Sequence, residues 1–309
     1  MDPDGGHEGS GVTRPVLAAD VGGTQMRAAL EDDTGRVLLR RSVPTPAEAD
    51  VPALLTDLIA SVAAERGHGA ASHAVVGLPG AVGYDTGRLL WAPHLPAQWP
   101  DLLSADGLTE HLGLPVGIAN DADLAAVGEA WFGAGAASHA VGFLTVSTGI
   151  GAGVVHGGRL LRGPRSLAEI GHAVIDWRAW LDGAPSTLEE LGSGSAVARL
   201  ARQAGLGELG AREVQANAAA GEPRAVAIWQ QAIAACAAGV SNLVMSFYPS
   251  TVVIGGGMGR QDEFFGPLRD MVLQRPGHYP ADLAIVRSTL GDDAGLSGAS
   301  AWAAATTSP

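Results

Sequence analysis

An amide and a carboxylate stand side by side at Asn120-Asp121, directly after an apolar run from Leu114 to Ala119 and just before a helical stretch, Leu124 to Trp131. Such a strand-to-helix turn presents two polar side chains, one able to hold a hydroxyl and the other to accept its proton. The plainer reading is that Asp121 or Asp123 caps the helix. What favours chemistry is the company the pair keeps. Three glycine-rich turns each follow an apolar run: Asp20-Val21-Gly22-Gly23-Thr24, Ser147-Thr148-Gly149-Ile150-Gly151 and Gly255-Gly256-Gly257-Met258-Gly259. Backbone N–H groups in tight turns, with a hydroxyl beside them, form concave anion sites that need no lysine. One such turn alone is usually structural; three together point to phosphate. The Gly-x-x-x-x-Gly-Lys loop of P-loop proteins is absent, and the first turn lacks Gly-x-Gly-x-x-Gly spacing. Asp20 is placed to hold a nucleotide's Mg²⁺ through water, since that ion gives up its hydration shell reluctantly; its plain role is turn-forming. Glu169-Ile170-Gly171-His172, with Glu189 and Glu190, offers acceptors suited to the hydroxyls of a polyol.

The elements that must position these groups follow from periodicity. Val16 to Ala19, Met26 to Leu30 and Val37 to Val43 read as an antiparallel meander, its first hairpin tipped by Asp20 to Thr24. Val141 to Val146, Ala152 to Val155 and a run beginning at Leu160 repeat that order around their own Gly/Thr turn, which predicts two lobes of one plan. Leu54, Leu55, Leu58, Ile59 and Val62 have helical spacing. Ala74 to Leu78 reads as a buried strand, the segment through Gly87 as loop, and Trp91 to Trp99 as irregular. From Thr187 the chain is mostly helical, with further strands at Thr251 to Ile254 and Ala284 to Val286 and a final Ala-rich helix.

Composition narrows the function. The formal charge of -13 argues against nucleic acid and anionic membranes as partners. Every cation other than histidine is an arginine, so no lysine can serve as a phosphate-binding point charge. The single Cys236 excludes an internal disulfide and a cysteine-built zinc site. No segment reads as long and apolar enough to cross a bilayer and the N-terminus lacks a charged-then-apolar signal peptide, so a soluble, cytoplasmic protein is expected. Residues 1–13 read as a disordered lead-in.

These motifs together resemble the ROK family of sugar kinases and sugar-responsive repressors, from about Val16 to the C-terminal helix. Asp20 to Thr24 is similar to the family's first phosphate motif, Ser147 to Gly153 to its second, Gly255-Gly256-Gly257 to its adenosine motif, and Ile118 to Asp123 to its catalytic segment. The resemblance implies an α/β, two-lobed actin-like and hexokinase-like fold with an ATP cleft between the lobes. Expected boundaries are 14–123 with the C-terminal helix 297–309 for the smaller lobe and 124–296 for the larger. Asp121 would be the catalytic base. Gly80, Asn120, Glu169, His172 and Glu189 would bind the sugar; Gly22, Gly23, Thr24, Thr148, Gly149, Gly256 and Gly257 would bind ATP. The family's repressors carry a helix-turn-helix domain before the first phosphate motif; with that motif beginning at Asp20 none is expected here, and the resemblance favours a kinase.

Two departures from the family pattern stand out. The usual run of three cysteines after Glu-x-Gly-His is missing between Ala173 and Thr187, so no structural zinc is expected, and Trp177 and Trp180 are expected to supply packing in its place. Gln25 stands where many members have lysine, and His94 where glucokinase-type members often have asparagine. The expected activity is transfer of the ATP γ-phosphoryl group, with Mg²⁺, to the 6-hydroxyl of glucose or a modified hexose such as 3-amino-3-deoxyglucose. Alternatives are a C7 cyclitol or an N-acetylhexosamine as acceptor, polyphosphate as donor beside Arg159, Arg162 and Arg165, or a sugar-sensing regulator without catalysis. A homodimer is expected from the family. The composition resembles actinobacterial proteins.

Overall fold

The computed structural model describes residues 15–46, 51–65, 71–92, 95, 99, 103–274 and 279–307. His94 and the lead-in lie outside them. Two five-stranded sheets carry the chain. The first joins β1 (Val16–Val21), β2 (Gln25–Glu31), β3 (Val37–Pro44), β4 (His73–Leu78) and β7 (Val116–Asn120) in the order β3-β2-β1-β4-β7. The second joins β8 (Ala140–Val146), β9 (Ile150–His156), β10 (Arg159–Leu160), β11 (Thr251–Gly255) and β12 (Ala284–Arg287) in the order β10-β9-β8-β11-β12. In both, an antiparallel meander continues into two parallel strands. The repeat read from the two meanders therefore extends to the whole sheet.

Burial explains the continuous apolar strands. Along β1, Leu17, Ala19 and Val21 face one hydrophobic core, while Val16 and Ala18 face another. The first core is closed by α1 (Val51–Ala63) and α2 (Ala105–Leu112). The second of these faces meets α3 (Asp121–Trp131) and α10 (Ala294–Thr307), which lie as a helix pair between the sheets: α10 packs on β1 and β4, α3 on β8 and β9, and each on the other. The second sheet's outer face is covered by helices that include α8 (Pro223–Phe247). At 25 residues α8 has the length and apolarity to cross a bilayer, contrary to the expectation that no segment would. Its Trp229, Ile233, Cys236 and Leu243 are buried in the core on the second sheet's outer face.

Between β4 and α2 lies a small hairpin, β5 (Ala81–Gly83) and β6 (Arg88–Trp91), where the sequence reads as loop. Gly80 before it has φ +91°, and a Cβ there would run into the Trp91 carbonyl oxygen, so glycine is required for the hairpin to fold back.

Candidate active site

The register of each hairpin delivers the site. Asp20 and Arg27 are direct cross-strand partners on β1 and β2, and the Arg27 guanidinium forms an ion pair with the Asp20 carboxylate. Its other terminal nitrogen donates to the Asp292 backbone carbonyl at 2.8 Å. Asp292 belongs to a short 3-10 turn, Gly291–Asp293, at the entry to α10, and Arg260 reaches it from the second sheet's side with a 2.5 Å hydrogen bond.

At the end of β7, Asn120 caps α3. Its Oδ1 accepts from Ala122 N–H at 3.0 Å and Asp123 N–H at 3.1 Å, and its Nδ2 donates to the Gly80 carbonyl at 3.0 Å. The capping role expected of Asp121 or Asp123 thus falls to Asn120, because the preceding side chain is the one that can reach the orphan N–H groups of the first turn. Asp121 is left at the cleft with one hydrogen bond, from Ala122 N–H at 2.8 Å. Asn120 keeps one N–H donor for a ligand.

The second turn is fastened to a helix start. Ser147 O accepts from Gly194 N–H at 2.7 Å, and Thr148 O accepts from Ser195 N–H at 3.1 Å, at the entry to the helix Gly194–Gln203. Glu189 Oε2 accepts from Ile150 N–H at 2.7 Å, and a Cβ on Gly149 would crowd that same oxygen. The third turn crosses the second. Met258 and Gly259 N–H both donate to Val146 O at 3.0 Å. Gly256, with φ +80°, lies so close to Val146 that no side chain fits.

A cleft of about 230 Å³ collects Asp20, Arg27, Asp121, Thr145, Ser147, Gly256, Gly257 and Asp292. An adjoining hollow of about 400 Å³ shares Ser147 and Gly257 and adds Thr148, Ser195, Arg212 and Gln261. Gly23 and Thr24 stand exposed at the first hairpin tip, lining neither hollow.

Burial is the main force raising the Asp121 pKa to about 7; the negative charges of Asp20, Asp123 and Glu169 add to it, while the Ala122 N–H opposes it. Glu169 is raised too, first by desolvation and also by Glu189, with His172 and Arg165 pulling the other way. Glu169, His172 and Glu189 thus share one electrostatic neighbourhood with Asp121. His172 is exposed, its ring 6.0 Å from that of Trp91 on the opposite hairpin. This acid, the turn amides and the acceptors Glu169 and Glu189 make an arrangement in which a hydroxyl can be deprotonated beside an anion-binding cleft.

The expectation for Trp177 and Trp180 is overturned: they are 58% and 60% exposed and fill no core. Backbone bonds close that segment instead. Ile175 and Asp176 N–H both donate to Ser186 O, at 2.9 and 3.1 Å, and Leu188 N–H donates to Ala173 O at 3.0 Å. Arg27 belongs to no sequence motif, because only strand register brings it into the cleft; its place seven residues after Asp20, on the return strand of the same hairpin, is the available signal.

The ROK family matches residues 16–306. A bifunctional enzyme NanE/NanK of Brucella melitensis is 38% identical over 299 residues, which cover 94% of this chain and 54% of that protein, so the chain spans about half the length of this relative. An N-acetylmannosamine kinase of Citrobacter koseri is 33% identical, covering 92% of this chain and 97% of its own. A ROK family glucokinase from Streptomyces griseus, solved in complex with glucose and AMPPNP, superimposes with a TM-score of 0.74 at 29% identity, covering 93% of this chain and 98% of its own. The fold is the two-lobed actin-like one of these kinases.

Proposed function

Because the chain belongs to the ROK family, we propose that it is an ATP-dependent sugar kinase moving the γ-phosphoryl group to the 6-hydroxyl of a hexose. The observation that carries this reading is the single cleft in which Asp121 faces Ser147, Gly256 and Gly257. Adenosine would occupy the hollow beside Arg212 and Gln261, and the phosphates would pass Ser147 and Gly257, which both hollows share. The hexose would lie between Gly80 and Asn120 on one side and Glu169, His172 and Glu189 on the other.

Asp121 would align the 6-hydroxyl and accept its proton as the O–P bond forms. Phosphoryl transfer has a loose transition state, so positioning and charge stabilisation supply most of the rate. Arg27 is the cation among the described residues lining the cleft, and from β2 it can turn from Asp20 toward the phosphates. The turn amides of Gly23, Thr24, Thr148 and Gly149 would complete the phosphate contacts as the lobes close, while Gly22, whose N–H is held by Gln25 O at 2.9 Å, would shape the turn.

For Mg²⁺ the donor set fits: Asp20 offers hard carboxylate oxygens in the phosphate cleft, and no group of three such ligands exists among the described residues to strip the ion of its water. When bound, Mg²⁺ would neutralise charge building between the β- and γ-phosphates. Asp20 would hold it through water.

Glucose, as in the Streptomyces griseus complex, is the first acceptor to test. The likeness to an N-acetylmannosamine kinase supports an N-acylhexosamine as the second reading. A cytoplasmic homodimer is the accompanying proposal. ATP consumption measured across glucose, mannose, their N-acetylamino forms, 3-amino-3-deoxyglucose and a valiolone-type cyclitol tests the assignment. With the accepted sugar, Asp121→Asn is expected to lower kcat by about 10²- to 10⁴-fold while sugar affinity holds. Turnover near the unsubstituted rate would mean another base.

A further inference from the structure

A second carboxylate lies two residues beyond Asp121 and has no direct role in the transfer described above. Asp123 is fully buried, yet both of its oxygens are engaged. Oδ2 accepts the Tyr84 hydroxyl at 2.5 Å, and Oδ1 accepts the Ser166 hydroxyl at 3.1 Å. A phenol has one proton, so with that proton given to Asp123 the Tyr84 oxygen is left as an acceptor. What it accepts is the backbone N–H of Asn120, at 3.2 Å. The direction of the whole chain is therefore set by the carboxylate: Asn120 N–H to Tyr84, and Tyr84 and Ser166 to Asp123.

Each end of this chain leads to a different part of the site. Tyr84 follows β5, four residues after Gly80, and its own N–H donates to Pro164 O, on the segment that leads to Ser166 and Glu169, at 2.7 Å. Ser166 lies three residues before Glu169. Asp123 sits in the first turn of α3, its N–H held by the Asn120 cap. The Arg162 guanidinium covers the cluster, 5.0 Å from the Tyr84 ring centre and 5.3 Å from that of Trp302 on α10. Loops from both sides of the sugar position and the helix that bears Asp121 thus meet at one carboxylate.

We infer that Asp123 is a positioning residue for phosphoryl transfer: it holds the Asn120-Asp121 step and the loop carrying Glu169 and His172 in one frame, so that gripping the sugar also aims the base. This rests on the sugar-kinase reading. Three variants separate positioning from mere support. Asp123→Asn can turn Oδ1 to Tyr84 and its amide N–H to the Ser166 oxygen, which keeps the chain intact. Tyr84→Phe removes the acceptor for Asn120 N–H with little change of shape, and Asp123→Ala removes the hub.

With the accepted sugar, Tyr84→Phe and Asp123→Ala are expected to lose about tenfold or more in kcat/KM for the sugar, with KM for ATP within about twofold, while Asp123→Asn stays within about threefold. A purely supportive carboxylate would lower melting temperature and leave the kcat/KM of folded protein unchanged. Unsubstituted-level sugar kcat/KM in Tyr84→Phe and Asp123→Ala would overturn the inference while leaving the kinase reading in place. Absence of sugar turnover in the unsubstituted protein would overturn both.

Discussion

A carboxylate acts as a base only once it has lost its proton, and Asp121 holds its proton up to about pH 7. The cause is chiefly burial, then the neighbouring charges of Asp20, Asp123 and Glu169, all of which disfavour a further negative charge. The sign follows. Below that pH the acid form dominates and kcat/KM for the sugar is expected to fall about tenfold per unit, with a plateau above it. A pH–rate profile flat down to pH 5 would remove Asp121 from the role of base. Arg27 makes the complementary case, since it bridges the Asp20 carboxylate and the Asp292 carbonyl and so holds positive charge in a cleft whose other charged lining residues, Asp20, Asp121 and Asp292, are acids. Arg27→Gln is expected to reduce kcat/KM for ATP by about 10- to 100-fold with a smaller change in sugar affinity, because charge-assisted contacts to phosphate are lost. Steady-state kinetics with each substrate varied in turn measures that split. Asp121, Thr148 and Gly256 can be read from sequence as candidates because each sits in a contiguous run whose spacing is itself the signal, whereas Ser147, which lines both hollows, is not singled out by it. Arg27, Tyr84 and Ser166 cannot be read so, because their roles arise from strand register and from contacts between segments far apart in the chain.

At the scale of elements, the site depends on how one turn is fixed to another. The third glycine turn donates two hydrogen bonds to Val146 O, at the end of the strand that opens the second turn. Gly256 permits this by its positive φ and by having no side chain where it crosses Val146. Gly256→Ala adds both backbone strain and a clash with backbone, at a cost of about 1–3 kcal/mol or more. The expected result is a lost or severely weakened ATP site with sugar binding retained, read by calorimetric titration of each ligand. The long strands and helices were legible because burial on both faces, or on one helical stripe, writes a continuous or periodic apolar pattern. The β5–β6 hairpin was not: its three and four residues carry Val82 and Leu89 as the buried apolar side chains, too few to show a period. The sequence pattern places the start of α3 three residues late for a related reason, since the polar Asn120-Asp121-Ala122-Asp123 has the composition of a loop and becomes helix because the Asn120 side chain satisfies the first-turn N–H groups.

For the whole molecule, the decisive contact is the helix pair between the two sheets. Because α10 packs on the first sheet and α3 on the second, any change in the angle between the halves passes through their mutual packing. That packing is made close by glycine: a Cβ on Gly298 would run into the Leu124 carbonyl oxygen, and one on Gly128 into the Ala294 carbonyl oxygen. Both obstacles are backbone, which cannot turn aside as a flexible side chain would. One turn from Gly298, Gly295 offers a control, since a Cβ there would meet only the Asp121 carbonyl oxygen at 3.7 Å, an ordinary contact. Gly298→Ala is therefore expected to cost about 2–3 kcal/mol or more, and Gly295→Ala less than about 1 kcal/mol, compared by denaturant unfolding. The same displacement moves α3 relative to the first sheet and carries Asp121 with it, so the folded fraction of Gly298→Ala should also lose kcat. Equal stability in the two variants would mean that the helices have room to part. The cleft geometry would then have to be maintained by the polar links at Asp292 and Glu129, the latter accepting from Ser288 Oγ at 2.6 Å and Leu290 N–H at 3.0 Å.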